Sequence, residues 1–347
     1  MKLNKLKDSL VGLAIVLFFN GCNSLDISNL WNYDAELVWN DDNLATAYVT
    51  DLYGDIFKGW DTGADNTAEQ QTGIPFMLST ITTSGSGYKR WNYTNIRNIN
   101  LGIEYLAEGT CSESVKNSLT GQMLFMRAYQ YGEMIVYHGG MPYITKDKDK
   151  DDLFVTRNST AECFDLLIKD LDDAISLLPA KAKGNDYGRI DQCFAKAYKA
   201  KMLLYKASPQ FNPSNRYDNK YWNEAYEAAK EAYDFCISQG IKLTDKYSDN
   251  WLVDGNSEVV FPIIYSNPDK TAGWENTIRP ASLSRSNANN TPTWDMVKAF
   301  PMLDGKSFDD PTGKYYVGNE DVFLQRYWMN RDPRFEDCIL YNAALYP

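Results

Sequence analysis

One histidine, His138, stands in 347 residues. A Ser-His-Asp site would have to use it. It closes an apolar helical run beside Gly139-Gly140, which is the setting of a helix cap and not of a general base. No HExxH, GxSxG or P-loop pattern occurs, and Ser84-Gly85-Ser86-Gly87-Tyr88-Lys89 lacks the spacing of a phosphate loop. Positive charge is also short: 35 Lys and Arg face 46 Asp and Glu, for a net charge of −11. That argues against a nucleic-acid partner, which would want a basic face. There is no CxxC pair among the six cysteines. Setting Cys22 aside leaves five, an odd number, and Cys163, Cys193 and Cys236 fall in helical patterns. They read as buried free thiols, against a disulfide framework or a zinc site. Alternating Asp from Asp147 hints at a calcium loop, but Asp152 and Asn158 replace its glycine and glutamate, so a solvated charged loop is expected. With 46 acidic residues, chance carboxylate pairs are guaranteed and cannot argue for glycoside hydrolysis. No cofactor, no metal and no catalysis are expected.

No apolar run at the amino terminus is long enough to hold a bilayer span. Leu10 to Phe19 is too short, and Lys2, Lys5 and Lys7 precede it as the positive start of a signal peptide. Gly21-Cys22 then resembles a bacterial lipobox. Residues 1–21 are expected to be removed, Cys22 to carry acyl chains that anchor the protein without a membrane helix, and residues 22–42 to be a tether.

What is present is helix. Residues 43–254 read as a mainly α scaffold. Asn43 to Phe57 has apolar residues at helical spacing, and Arg90 to Glu108 resumes after an irregular Gly59–Gly87 stretch. Leu119 to Pro142 is apolar on nearly every side, the mark of a buried rod; its charges Arg127 and Glu133 therefore need partners. Ser159 and Glu162 form a capping box before a clean apolar face ending at Pro179. Asp191 to Ala207 and Tyr221 to Gln239 follow. In the last of these Trp222, Ala225, Ala229, Ala232, Tyr233 and Cys236 are expected to face inward, with Gly240 as the terminator. Similar helix hairpins with aromatic knobs against Ala positions suggest a tetratricopeptide-like array. Residues 255–347 are loop-rich, with a β-like run at Glu258–Tyr265 and a short helix at Pro292–Phe300, and are expected to pack onto the repeats.

Aromatics are 14% of the chain, with 24 Tyr and 9 Trp. Flat faces in polar loops suit the CH side of a sugar ring, and planar polar groups suit its hydroxyls. The candidates are Trp60, Tyr88, Trp274 and Tyr315 (or Tyr316), with Asn276 and Arg279 as donors. Packing of the loops onto the core is the competing role for each. Trp60 and Trp274 are expected on one exposed face. Trp91 and Trp222 lie in helical patterns and are assigned to the core.

Taken in order, these stretches resemble the SusD/RagB family of surface lipoproteins from Bacteroidetes. They are Gly21-Cys22, Trp91–Tyr93–Ile96–Asn100, Phe125-Met126-Arg127-Ala128-Tyr129 leading to Gly139-Gly140-Met141-Pro142, and Arg157-Asn158-Ser159. Asp170-Leu171-Asp172-Asp173-Ala174-Ile175, Leu178-Pro179, Gly188-Arg189 and Trp222–Ala225–Ala229 follow. Asn256–Glu258–Val260–Phe261, Pro292-Thr293, Met302–Asp304-Gly305-Lys306 and Arg331-Asp332-Pro333-Arg334-Phe335 complete the set. The resemblance implies a tetratricopeptide-like scaffold with a glycan-binding face, held at the outer membrane by its lipid. It also implies a partner, a TonB-dependent transporter capped by this protein, and cargo that is oligosaccharide or, as in RagB-like members, peptide. Full-length members continue beyond the Asp-Pro-Arg-Phe motif, so the resemblance implies a chain truncated at Pro347.

Overall fold

The fold is built around helix α4 (Glu113–His138), seen in a computed structural model that describes residues 35–58, 67–68, 90–146, 154–266, 268, 270–271, 279, 291–341 and 344. Every residue from 121 to 128 is buried. An element with no wet side needs neighbours all round, and four helices supply them. They are α2 (Asp42–Ile56), α3 (Tyr93–Glu108), α5 (Thr160–Leu177) and α6 (Gln192–Ala207). The main core is continuous from Trp39 to Met202 and centres on Phe125, Met126 and Tyr131. As the sequence predicts, the protein is mainly helical, and consecutive long helices pack as antiparallel neighbours. Among the described residues no helix is long and apolar enough to cross a membrane.

The helix ends follow local chemistry. Gly139 takes φ +69°, the left-handed conformation that ends α4 without a Cβ clash. The capping box is complete: Ser159 Oγ accepts from the Glu162 N–H, and the Glu162 carboxylate accepts from the Ser159 N–H at 2.7 Å. Gly140 lies where α4 hands over to α5. A Cβ there would sit inside contact distance of the Asn158 carbonyl.

Several sequence expectations change. A short helix, α1 (Ala35–Trp39), precedes α2, and Trp39 is buried against Tyr48, ring centroids 4.9 Å apart. Packed structure therefore begins inside the span read as a tether. In α7 (Tyr221–Ser238) only Ala225, Ala232 and Cys236 bury; Trp222 is half-buried, while Ala229 and Tyr233 are exposed. Among the described residues α7 packs chiefly on one long helix, α6, so a single stripe is covered. Glu258–Tyr265 forms no strand. It runs as irregular chain pinned by Phe261, whose ring stacks on Phe194 at 4.3 Å.

A short helix α8 (Asp249–Leu252) leads to this segment. The C-terminal region then holds a small core of its own: Val297 on α9 (Trp294–Ala299) with Phe335 and Ile339 at α11 (Pro333–Cys338). Helix α10 (Glu320–Leu324) packs Phe323 beside Trp294. Arg331 organises this unit. Its guanidinium is buried, donates to the carbonyls of Val297 (2.7 Å) and Tyr327 (2.6 Å), and lies between the rings of Phe323 and Phe335. A two-residue antiparallel ladder joins β1 (Thr67–Ala68) to β2 (Thr291–Pro292). Four of the five described cysteines are buried free thiols; Cys338 is exposed.

Candidate ligand-binding face

Of the residues expected to bind ligand, Trp60, Tyr88, Trp274 and Asn276 lie outside the described residues, as does Cys22. Arg279 and Tyr315 are described and half-buried. Tyr315 carries the Lys314 ammonium 5.2 Å from its ring centroid. Tyr316, beside it, is half-exposed. The β1–β2 ladder pairs Thr67 with Pro292 and Ala68 with Thr291. It ties the chain segment after Trp60 to the segment after Arg279.

The exposed aromatic corner that the structure does show is one the sequence reading gave to the core. Trp91 is 48% exposed. It stands two residues before α3 begins, so helical periodicity does not govern where its ring goes. One face of the indole stacks on the His138 imidazole, centroids 4.2 Å apart and planes within 11°. Tyr93 lies parallel at 6.3 Å. Tyr137 is also half-exposed, with the Arg90 guanidinium 5.8 Å above its ring. Hydrogen bonds fix the corner to the end of the central helix. The Arg90 N–H donates to His138 Nε2 at 3.3 Å, and the Tyr93 hydroxyl donates to the Pro142 carbonyl at 2.9 Å. Arg157 spans the handover to α5, donating to the carbonyls of Gly140 and, at 2.7 Å, His138. Burial, and then the Arg157 charge, hold the imidazole below its usual pKa. His138 is thus a neutral acceptor and stacking partner. The signal available in the sequence was position: an aromatic just ahead of a helix, after an irregular stretch, is not under the helix's periodicity.

The other polar centre is structural. Arg127 is buried and makes a two-pronged pair with Asp170, Nε–Oδ2 2.8 Å and Nη2–Oδ1 2.6 Å. Asn100 Oδ1 accepts from Arg127 at 3.0 Å, and the Tyr143 hydroxyl donates to Asp170 at 2.6 Å. Each donor and acceptor is matched, as burial of charge demands. Among the described residues no group of three or more His, Cys, Asp or Glu is arranged to hold a metal.

Residues 60–205 match the SusD-like family described as "Starch-binding associating with outer membrane". The fold agrees. A SusD-like protein from Bacteroides fragilis superposes with TM-score 0.69 at 24% identity, over 88% of this chain and 61% of its own. A SusD-like carbohydrate-binding protein of the same species gives 0.70 at 19%, over 90% and 62%. A laminarin-binding SusD-like protein gives 0.51 at 21%, over 68% and 53%. No curated protein sequence matches. The helical array and the matched segment make this chain similar to the SusD-like proteins. It spans about three-fifths of the length of the first two solved structures.

Proposed function

We propose that the protein is a non-catalytic, lipid-anchored glycan-binding protein of the cell surface, which captures oligosaccharides and delivers them to a TonB-dependent outer-membrane transporter. The observation that carries the glycan reading is the Trp91 corner: a half-exposed indole, backed by His138 and flanked by Tyr93 and Tyr137, on a fold whose neighbours include carbohydrate binders. A rigid aromatic platform takes the CH face of a pyranose with little entropy lost on binding. Tyr88, close before Trp91 in the chain, and Trp60, Trp274, Asn276, Arg279 and Tyr315 are the further contacts of this reading. The β1–β2 ladder supports this by joining the two segments that carry most of them. The Gly21-Cys22 sequence supports the lipid anchor. Delivery to a transporter rests on the resemblance to SusD-like proteins.

The test is calorimetry and affinity electrophoresis against neutral oligosaccharides that include laminarin fragments. Trp91→Ala should weaken binding about tenfold or more, on the order of 1.4 kcal/mol, with little change in melting temperature. No core cavity forms where the ring is half in solvent. Binding of peptides and of no glycan would overturn the glycan reading. A fall in melting temperature with unchanged affinity would take Trp91 out of the site.

A further inference from the structure

Helices α6 and α7 form an antiparallel hairpin whose register can be followed contact by contact. Lys206 holds its ammonium 4.7 Å from the Tyr221 ring, and Leu203 shares a small core with Ala225. Further along, Lys196 pairs with Glu231 and sits 5.1 Å from the Phe235 ring. Continuing one turn puts Cys193 opposite Cys236, at the end of the hairpin farthest from its 208–220 connection. There Cys236 Sγ donates to the Cys193 carbonyl oxygen at 3.8 Å, while Cys193 Sγ donates to the Ala180 carbonyl at 3.6 Å. Both are free.

We propose that Cys193 and Cys236 are a cystine-forming pair, and that oxidation staples the open end of the α6–α7 hairpin. Cys236 is the more accessible, at 9% exposure against 0%, and reacts first. As thiolate it attacks one sulfur of a disulfide donor, expelling the other as thiolate and leaving a mixed disulfide. The Cys193 thiolate then attacks the Cys236 sulfur and expels the donor's second thiolate. Two electrons pass to the donor, and the two protons given up by the pair reprotonate its thiolates. Burial pushes both thiols up, Cys193 to about 12. Little thiolate therefore exists in the closed hairpin at neutral pH, and the bond forms while the hairpin is closing or locally open. A covalent tie at this end matters because, among the described residues, α7 packs chiefly on one long helix, and its outer face, with Tyr226 and Tyr233, is exposed.

The full chain is incubated with glutathione disulfide in sub-denaturing urea. Free thiols are then alkylated, and the protein is digested with trypsin without reduction. The expected product joins peptide 190–196 to peptide 231–242 and is lost on reduction. Reduction should also lower the melting temperature of the oxidised protein by several degrees, and leave that of Cys193→Ser, or of Cys236→Ala should the first variant misfold, unchanged. Recovery of both peptides alkylated after oxidation would overturn the proposal, as would either cysteine linked to a different partner.

Discussion

Arg127 shows how a single residue can bind the fold together without adding net stability. Its pair with Asp170 is out of water, with Asn100 and Tyr143 completing the set. Two charges taken from water cost several kcal/mol each, and their attraction offsets that cost only while both are present. Arg127→Met should therefore destabilise by about 3–5 kcal/mol, because Asp170 is left charged and buried. Adding Asp170→Leu to that variant should recover much of the loss. Urea denaturation of the three variants checks this; a double variant weaker than Arg127→Met alone would refute it. Arg331 is a different case: its ligands are backbone carbonyls and two aromatic rings, with no carboxylate to strand.

At the scale of elements, legibility tracked how many sides of a helix are covered. Helix α4 was readable because all-round apolarity has one physical meaning, and its terminator Gly139 and its buried charge Arg127 were visible with it. The capping box of α5 was readable because Ser159 and Glu162 act through local geometry alone. Helix α7 was misread in part: Tyr233 and Ala229 fit the period, but period does not say how many neighbours a helix has. Trp91 was misread because it sits just outside α3, where the period does not apply. Phe261 looked like part of a strand because extended chain and strand share apolar alternation, and only ladder partners separate them. The joint between α4 and α5 yields a prediction of its own. Gly140→Ala would press a methyl on the Asn158 carbonyl, which is backbone and cannot swing away. The loss should be about 1–3 kcal/mol, with Arg157 and the Trp91 corner displaced. Thermal unfolding and the Trp91→Ala binding assay read the two effects separately.

The whole molecule is acidic, and many of its carboxylates serve as hydrogen-bond acceptors at loops and helix starts. The Ser112 hydroxyl lowers Asp42, the Ser159 N–H lowers Glu162, the Thr244 N–H lowers Glu258, and Arg334 lowers Asp332. A carboxylate depressed in the folded state contributes stability above its unfolded pKa of about 4, and that stability is lost as pH falls through the folded value. His138 is depressed too, so the unfolded chain takes up its proton first and a smaller loss begins near pH 6.5. Melting temperature should therefore dip slightly from pH 7 to 5 and fall steeply below about pH 4. A melting temperature that rose through that lower range would refute the assignment. The central rod also has a consequence in time. Its cover comes partly from α2 and α3, made before it, and partly from α5 and α6, the last of which ends at Ala207. At about 5–20 residues per second, synthesis of the chain from His138 to Ala207 takes on the order of 3–14 s. Through that interval Met126, Tyr131 and Ile135 await half of their partners, so the order of synthesis leaves one side of the rod uncovered until α6 is made.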